Sequence, residues 1–193
     1  GMTSDPHIKR VVLAVTGASG LIYAGTLARE LGGRPDVELH VILSRAAREV
    51  MRHETGLNED ELRGLAQAFY EETEIAAPPA SGSWRHAGMV VCPCSMASLA
   101  AIAHGLGQNL IHRAADVALK EGLRLVLVPR ETPLSTIHLK NMLAAREAGA
   151  AILPACPGFY HGPQNLADLA AHLAGKILDQ LDIPHRLFER WGA

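Results

Sequence analysis

At 193 residues the chain is long enough for one domain with a core on both faces of a sheet, and short for two. Hydrophobic residues make up 48% and charged residues 20%, close to globular averages, which excludes a disordered chain. A formal net charge of −2, with no basic run and no acidic tail, argues against nucleic acid or a charged macromolecule as partner.

Gly1-Met2-Thr3-Ser4-Asp5-Pro6 lacks the apolar core of a signal peptide, and Gly1 before Met2 reads as the scar of a removed tag. Residues 1–7 are expected to be a disordered leader. Ile8–Val15 is an apolar run after Lys9-Arg10, as in a strand buried on both faces. Thr16-Gly17-Ala18-Ser19-Gly20 breaks it, and Leu21–Leu31 then has helical spacing stopped by Gly32-Gly33. Val37–Leu43 is a second strand, with Ser44 as a possible cap for a helix through Arg45–Glu54. Asn58–Phe69 reads as a further helix, and Ala76–Ser83 as a Pro/Gly/Ser loop.

Met89–Cys92 is a third strand, and Ser95 can cap the helix after it. Leu110–Glu121 is helical, Leu123–Val128 is the most apolar strand, and Ser135–Ala148 is a helix ending at Gly149. Ala151–Leu153 is a short last strand. Leu166–Leu181 is a closing amphipathic helix, and 182–193 a C-terminal tail. The apolar runs are of strand length, far from the roughly 20 residues of a membrane helix. An odd cysteine count (Cys92, Cys94, Cys156) without a secretion signal predicts free thiols and a cytoplasmic protein. Cys92-Pro93-Cys94 has no second ligand pair, and the histidines show no metal-binding spacing, so no metal site is expected.

Strands alternating with helices predict a single α/β domain, a Rossmann-like (flavodoxin-like) doubly wound parallel sheet. Ligands of such sheets bind at the carboxyl ends of the strands. Thr16–Gly20 can bring backbone close to a phosphate or an anionic ring edge at a helix N-terminus, or can be a tight turn with no ligand. It is neither a dinucleotide fingerprint nor a P-loop. Ser44 and Ser95 fall at the equivalent turns; each can be a plain helix cap, but three hydroxyl-bearing turns at one edge would line one pocket. Arg130 suits a phosphate or a flavin carbonyl, and Glu131 a proton transfer; the bland alternative is a surface ion pair. Phe159-Tyr160-His161, bounded by Pro157-Gly158 and Gly162-Pro163, can hold a phenol rigidly, with Phe159 alternatively packed on the core. Lys176 on the last helix reads as solvated.

Several segments recur together in one family: Thr16–Gly20 with Tyr23, Pro78–Ser83, Cys92–Met96, Asn109–Ile111, Arg113–Val117, Val128–Leu134 through Met142, Pro157–His161 and Ile177–Leu181. In this ordered set, over about Val11 to Trp191, the chain resembles the UbiX/Pad1 flavin prenyltransferases. The resemblance implies transfer of a dimethylallyl group from dimethylallyl monophosphate to N5 and C6 of reduced FMN, without a metal. The product, prenylated FMN, would serve a UbiD-type decarboxylase. It also implies a homo-oligomer, a dodecamer with flavin sites between subunits.

By the same resemblance Gly17, Ala18 and Ser19 contact the flavin, and Ser44, Ser95, Met96, Ala97, Ser98 and Arg130 complete the FMN site. Tyr160 and Lys176 bind the dimethylallyl phosphate, while Arg113, Lys120 and Glu131 surround it. Glu54 is a further acidic site residue, Ser19 and Glu131 manage protons, and Trp191 shields the allyl cation. Two positions depart from the family pattern: Lys176 stands where many members have Arg, and Ile75-Ala76-Ala77 lacks an aromatic residue. Three other readings share the fold or the flavin: an FMN-dependent cysteine-type decarboxylase, a non-catalytic flavin carrier, and direct decarboxylation of aromatic acids. Against the first, Thr132-Pro133-Leu134 replaces the Pro-x-Met-Asn motif of that group.

Overall fold

Val11 to Val15 are all fully buried, and their alternation explains the layering of the molecule. Val11, Leu13 and Val15 enter one apolar cluster, and Val12 and Ala14 enter another. A strand with no polar face can lie only inside a sheet covered on both sides. The computed structural model describes residues 6–192, so residues 1–5 of the expected leader lie outside it.

Six strands form one parallel sheet: β1 (Lys9–Val15), β2 (Val37–Leu43), β3 (Ala68–Glu71), β4 (Gly88–Cys94), β5 (Leu125–Pro129) and β6 (Ala151–Ile152). Their spatial order is β3-β2-β1-β4-β5-β6. Without the short edge strand β3, this is the flavodoxin-like order. The helices are α1 (Leu21–Gly32), α2 (Arg45–Val50), α3 (Glu59–Leu65), α4 (Met96–Ala103), α5 (Leu110–Lys120), α6 (Thr136–Glu147) and α7 (Leu166–Gln180). Apolar residues of α1, α3 and α7 pack on the Leu13 face, and those of α4, α5 and α6 on the Val12 face. Among the described residues no helix is long and apolar enough to cross a membrane.

Two expected helices fall short. The helix expected over Asn58–Phe69 ends at Leu65, and Ala68–Glu71 is the edge strand β3. Ala66 turns extended, Gln67 N–H donates to Leu39 C=O at 2.8 Å, and the chain then pairs with β2. Phe69 and Tyr70 suit a strand, and a free edge of β2 was there to receive them. The helix expected over Arg45–Glu54 also ends early, at Val50, and a turn through Met51–His53 follows.

The chain reverses its direction of travel across the sheet between β1 and β4. Thr16, buried at this switch point, ties the two strand ends together: its hydroxyl donates to Pro93 C=O at 2.6 Å and accepts from Ser95 N–H at 2.8 Å. The loops after the two strands part on either side of this bond. A crevice at that place is the expected ligand site of a doubly wound sheet.

Candidate active site

Gly17, Ala18 and Ser19 follow β1, Ser44 follows β2, Ser95–Ser98 follow β4, and Arg130 and Glu131 follow β5. All therefore stand at one edge of the sheet, as the alternation of elements predicts. Gly17 packs so tightly on Ala46 at the start of α2 that a Cβ would overlap the Ala46 side chain and crowd its backbone. That contact draws the β1 loop against the Ser44 turn.

The serines of these turns share one hydrogen-bonding logic. Ser44 Oγ accepts from Ala47 N–H at 2.9 Å, so its own hydrogen is free to donate elsewhere. Ser95 Oγ accepts from Ser98 N–H at 3.1 Å and donates to Ser98 Oγ at 2.9 Å, which leaves the Ser98 hydrogen free. Each cap satisfies a helix N–H with a lone pair, and a hydroxyl hydrogen is left at each helix N-terminus, that of Ser44 itself at one and that of Ser98 at the other. Such a ring of donors suits an anion.

Ser19 has a different partner. Its hydroxyl donates to Glu54 Oε2 at 2.9 Å. Glu54 Oε1 accepts from Gly20 N–H at 2.6 Å and Leu21 N–H at 2.8 Å. The Glu54 carboxylate thus occupies the N-terminus of α1, the end where a helix favours negative charge. Burial pushes its carboxyl pKa up; the two backbone N–H groups, the Ser19 hydroxyl and the Arg130 charge outweigh this and hold it below the usual carboxylate value. The turn after α2 makes the contact possible.

Arg130 is half-buried, and its guanidinium forms no hydrogen bond or ion pair among the described residues. Its charge acts on both Glu54 and Tyr23. Burial pushes the Tyr23 phenol up, with Cys156 and Cys92 adding to the shift and Arg130 opposing it. Beside Arg130 lies a cleft of about 350 Å³, mostly apolar, that is lined by Glu131, Met142 and Cys156 among others. Glu131 is exposed there, and its carboxylate accepts from Thr132 N–H at 2.9 Å. Among the described residues neither Arg130 nor Glu131 forms an ion pair.

Tyr160 stands in the loop before α7, 62% exposed. Trp191 of the C-terminal segment meets it edge to face at 6.2 Å between ring centroids. Phe159 is exposed and does not pack on the core. Cys92 and Cys94 are fully buried, and burial raises both thiols, Cys94 to about 12. The Cys-Pro-Cys segment is therefore strand packing and carries no thiolate.

Not every expected residue joins this edge. Arg113 is exposed on α5, and Lys120 at the end of that helix pairs with Glu121 at 2.6 Å. Neither bonds to the Ser19–Glu54 pair or lines the cleft at Arg130. Lys176, exposed on α7, lines a separate cleft with Arg124, Arg146 and Gln180 beside β6. Two contributors escape sequence reading: the Thr16 hydroxyl, which reads as part of a turn, and His172, which bonds Tyr160 from inside α7.

A family model described as Flavoprotein matches residues 2–180. The chain is 47% identical over 184 residues to the flavin prenyltransferase LpdB of Lactiplantibacillus plantarum, covering 95% of this chain and 98% of that protein. Among solved structures, a dodecameric FMN-dependent UbiX-like decarboxylase from Escherichia coli O157:H7 superposes with a TM-score of 0.92 at 41% identity, covering 95% of this chain and 100% of that one. AnUbiX, in complex with FMN and dimethylallyl pyrophosphate, does so with a TM-score of 0.89 at 44% identity, covering 96% and 98%.

Proposed function

The chain belongs to the flavin prenyltransferases of the flavoprotein family, and on that premise we propose that it transfers a dimethylallyl group from a dimethylallyl phosphate to N5 and C6 of reduced FMN. The observation that carries this reading is the Ser19–Glu54 couple, set beside Arg130 at the switch point of the sheet. A simple flavin carrier needs donors for a phosphate but has no use for a carboxylate coupled to a hydroxyl at the ring edge.

The residues fit a flavin mononucleotide. The free hydroxyl protons of Ser44 and Ser98 and the unpaired Arg130 guanidinium suit its phosphate and ring carbonyls. The α1 N-terminus is already filled by Glu54, so the phosphate belongs with the other two helix ends. Met96 and Ala97 open α4 beside Ser95, and Gly17 and Ala18 bring bare backbone towards the ring. Ser19 spends its hydrogen on Glu54 and so turns a lone pair outward, able to accept a proton released at flavin N5. Glu54 is ionised to receive that proton in turn.

Tyr160 donates to the phosphate of the prenyl donor, and Trp191 offers an aromatic face to the developing allyl cation. Lys176 supplies a point charge without the bidentate fork that Arg would give. Arg113, Lys120 and Lys176 lie off the site within one subunit, which agrees with a site completed between subunits. Exposed Leu134, Ile137, Leu139 and Leu143 on and before α6 form an apolar surface suited to a second copy of the chain. On this reading the protein is a cytoplasmic homo-oligomer, a dodecamer as in the E. coli relative, and its product passes to a UbiD-type decarboxylase. Glu131, exposed beside the cleft, is the second proton-handling group, at the departing phosphate.

The test is anaerobic. Protein, dithionite-reduced FMN and dimethylallyl monophosphate are mixed without metal, and the released flavin is weighed. A gain of one C5H8 unit is expected; unmodified FMN, with the diphosphate and Mg²⁺ also tried, overturns the reading in favour of a thiol-oxidising relative or a carrier. Arg130→Ala is expected to purify largely free of flavin and to bind FMN at least tenfold more weakly, about 1.4 kcal/mol. Fluorescence titration measures this directly, and an unchanged dissociation constant removes Arg130 from the FMN site.

A further inference from the structure

The Tyr160 hydroxyl has one hydrogen and two lone pairs, and which of them points outward decides whether it can serve a phosphate. An ionised phosphate oxygen only accepts, so the phenol must donate to it. The neighbour that settles the matter is His172, buried on the inner side of α7 and 5% exposed. Its Nε2 lies 3.3 Å from the Tyr160 oxygen. Its Nδ1 lies 3.2 Å from the backbone nitrogen of Gly158.

A backbone N–H can only donate. Nδ1 of His172 is therefore the acceptor and carries no hydrogen, and the neutral ring has its proton on Nε2. The Nε2–H then donates to the Tyr160 oxygen, which leaves the phenol hydrogen for an outside acceptor. The opposite tautomer would draw the phenol hydrogen inward and present only lone pairs to the phosphate.

The packing holds this arrangement from several sides. His161 stacks on His172 with 4.6 Å between centroids and an interplanar angle of 11°. Phe188 covers His172 from the C-terminal segment at 4.9 Å. Gly158 leaves little room between the rings: a Cβ there would come 3.0 Å from the Tyr160 ring and 3.3 Å from the His172 ring, so either ring would have to shift. A protonated His172 would place a second donor against the Gly158 N–H, so the pocket is built for the neutral ring.

We propose that His172 is a positioning residue: locked in one tautomer by the Gly158 backbone, it turns the Tyr160 hydroxyl outward as a hydrogen-bond donor to the phosphate of the prenyl donor. The inference rests on the reading of Tyr160 as a phosphate ligand. It predicts that His172 acts only through the Tyr160 hydroxyl and has no part in holding FMN.

The experiment is a double-mutant cycle on the full chain with four forms: wild type, His172→Phe, Tyr160→Phe and the double variant. The readouts are KM and kcat for dimethylallyl monophosphate and the dissociation constant for FMN. Phe keeps the aromatic packing and deletes both ring nitrogens. His172→Phe is expected to raise KM about tenfold, the effect of one misdirected hydrogen bond to a charged group, with FMN affinity unchanged. The double variant is expected to match Tyr160→Phe within twofold. Where His172→Phe does not fold, His172→Asn takes its place in the cycle, since its amide can still accept from Gly158 but is too short to reach Tyr160.

A wild-type KM in His172→Phe, beside a raised KM in Tyr160→Phe, overturns the role of His172 alone. So does a His172→Phe effect that persists undiminished in the Tyr160→Phe background, or one that weakens FMN binding. An unchanged KM in Tyr160→Phe overturns the reading of Tyr160 itself, and the inference with it.

Discussion

Glu54→Gln is expected to slow prenyl transfer about 100-fold or more while FMN still binds. The amide keeps the size of the side chain, and its oxygen can still accept from Gly20 and Leu21 N–H. Its NH₂ must then face Ser19, where a carboxylate oxygen stood at 2.9 Å. Ser19 can no longer hand on a proton, because the amide does not take one. Removing a positioned acid or base costs on the order of 10² to 10⁴ in rate. The loss of negative charge at the α1 N-terminus adds a stability cost of about 0.3–1 kcal/mol, too small to unfold the chain. Single-turnover kinetics with saturating reduced FMN separates the two effects. A rate within threefold of wild type would exclude Glu54 as the proton acceptor.

The same carboxyl sets a pH expectation. Its pKa in the folded chain is held below the usual value, so the carboxylate is present throughout neutral and mildly acidic solution. Its contribution to stability is full above the unfolded pKa and is lost only as pH falls through the lower folded value. The base function should fail over the same acidic window and not near neutrality.

Thr16→Val should destabilise the protein by about 2–3 kcal/mol, although the two side chains have the same shape. No cavity forms, so the cost is polar. The buried hydroxyl bridges Pro93 C=O and Ser95 N–H across the switch point. Pro93 C=O keeps a weaker bond from Thr16 N–H at 3.3 Å, but Ser95 N–H loses its partner. For a chain of this size the loss corresponds to a fall of about 5–10 °C in Tm. Thr16→Ser, which keeps the hydroxyl, should lose about 1 kcal/mol. Differential scanning calorimetry of the two variants decides it; a Thr16→Val protein about as stable as wild type, with the larger loss in Thr16→Ser, would mean that the methyl group, and not the bridge, matters. FMN affinity should drop with Thr16→Val as well, since Ser95 caps the helix that presents Ser98.

Much of the architecture was legible because it is written in local pattern. Runs such as Val11–Val15 and Leu125–Val128 have no polar face, and only a sheet covered on both sides can hold them. Ser44 and Ser95 cap helices as their positions suggest, because a cap needs only its own next three residues. The strand β3 was not legible. Ala68–Glu71 follows a helix with almost no turn signal, and its conformation comes from the open edge of β2.

The sequence by itself determined the alternation of strands and helices, the edge at which Ser19, Ser44, Ser95 and Arg130 gather, and the family to which these motifs point. The first two follow from periodicity and from turn chemistry within a few residues of the chain; the family follows from the resemblance of the ordered motifs. Only the tertiary structure decided that Glu54, 35 residues beyond Ser19, fills the N-terminus of α1, that Thr16 bridges two strands, and that His172 fixes the direction of the Tyr160 hydroxyl. These depend on how elements distant in sequence meet, and a hydrogen bond forms only where packing has set donor and acceptor within about 3 Å.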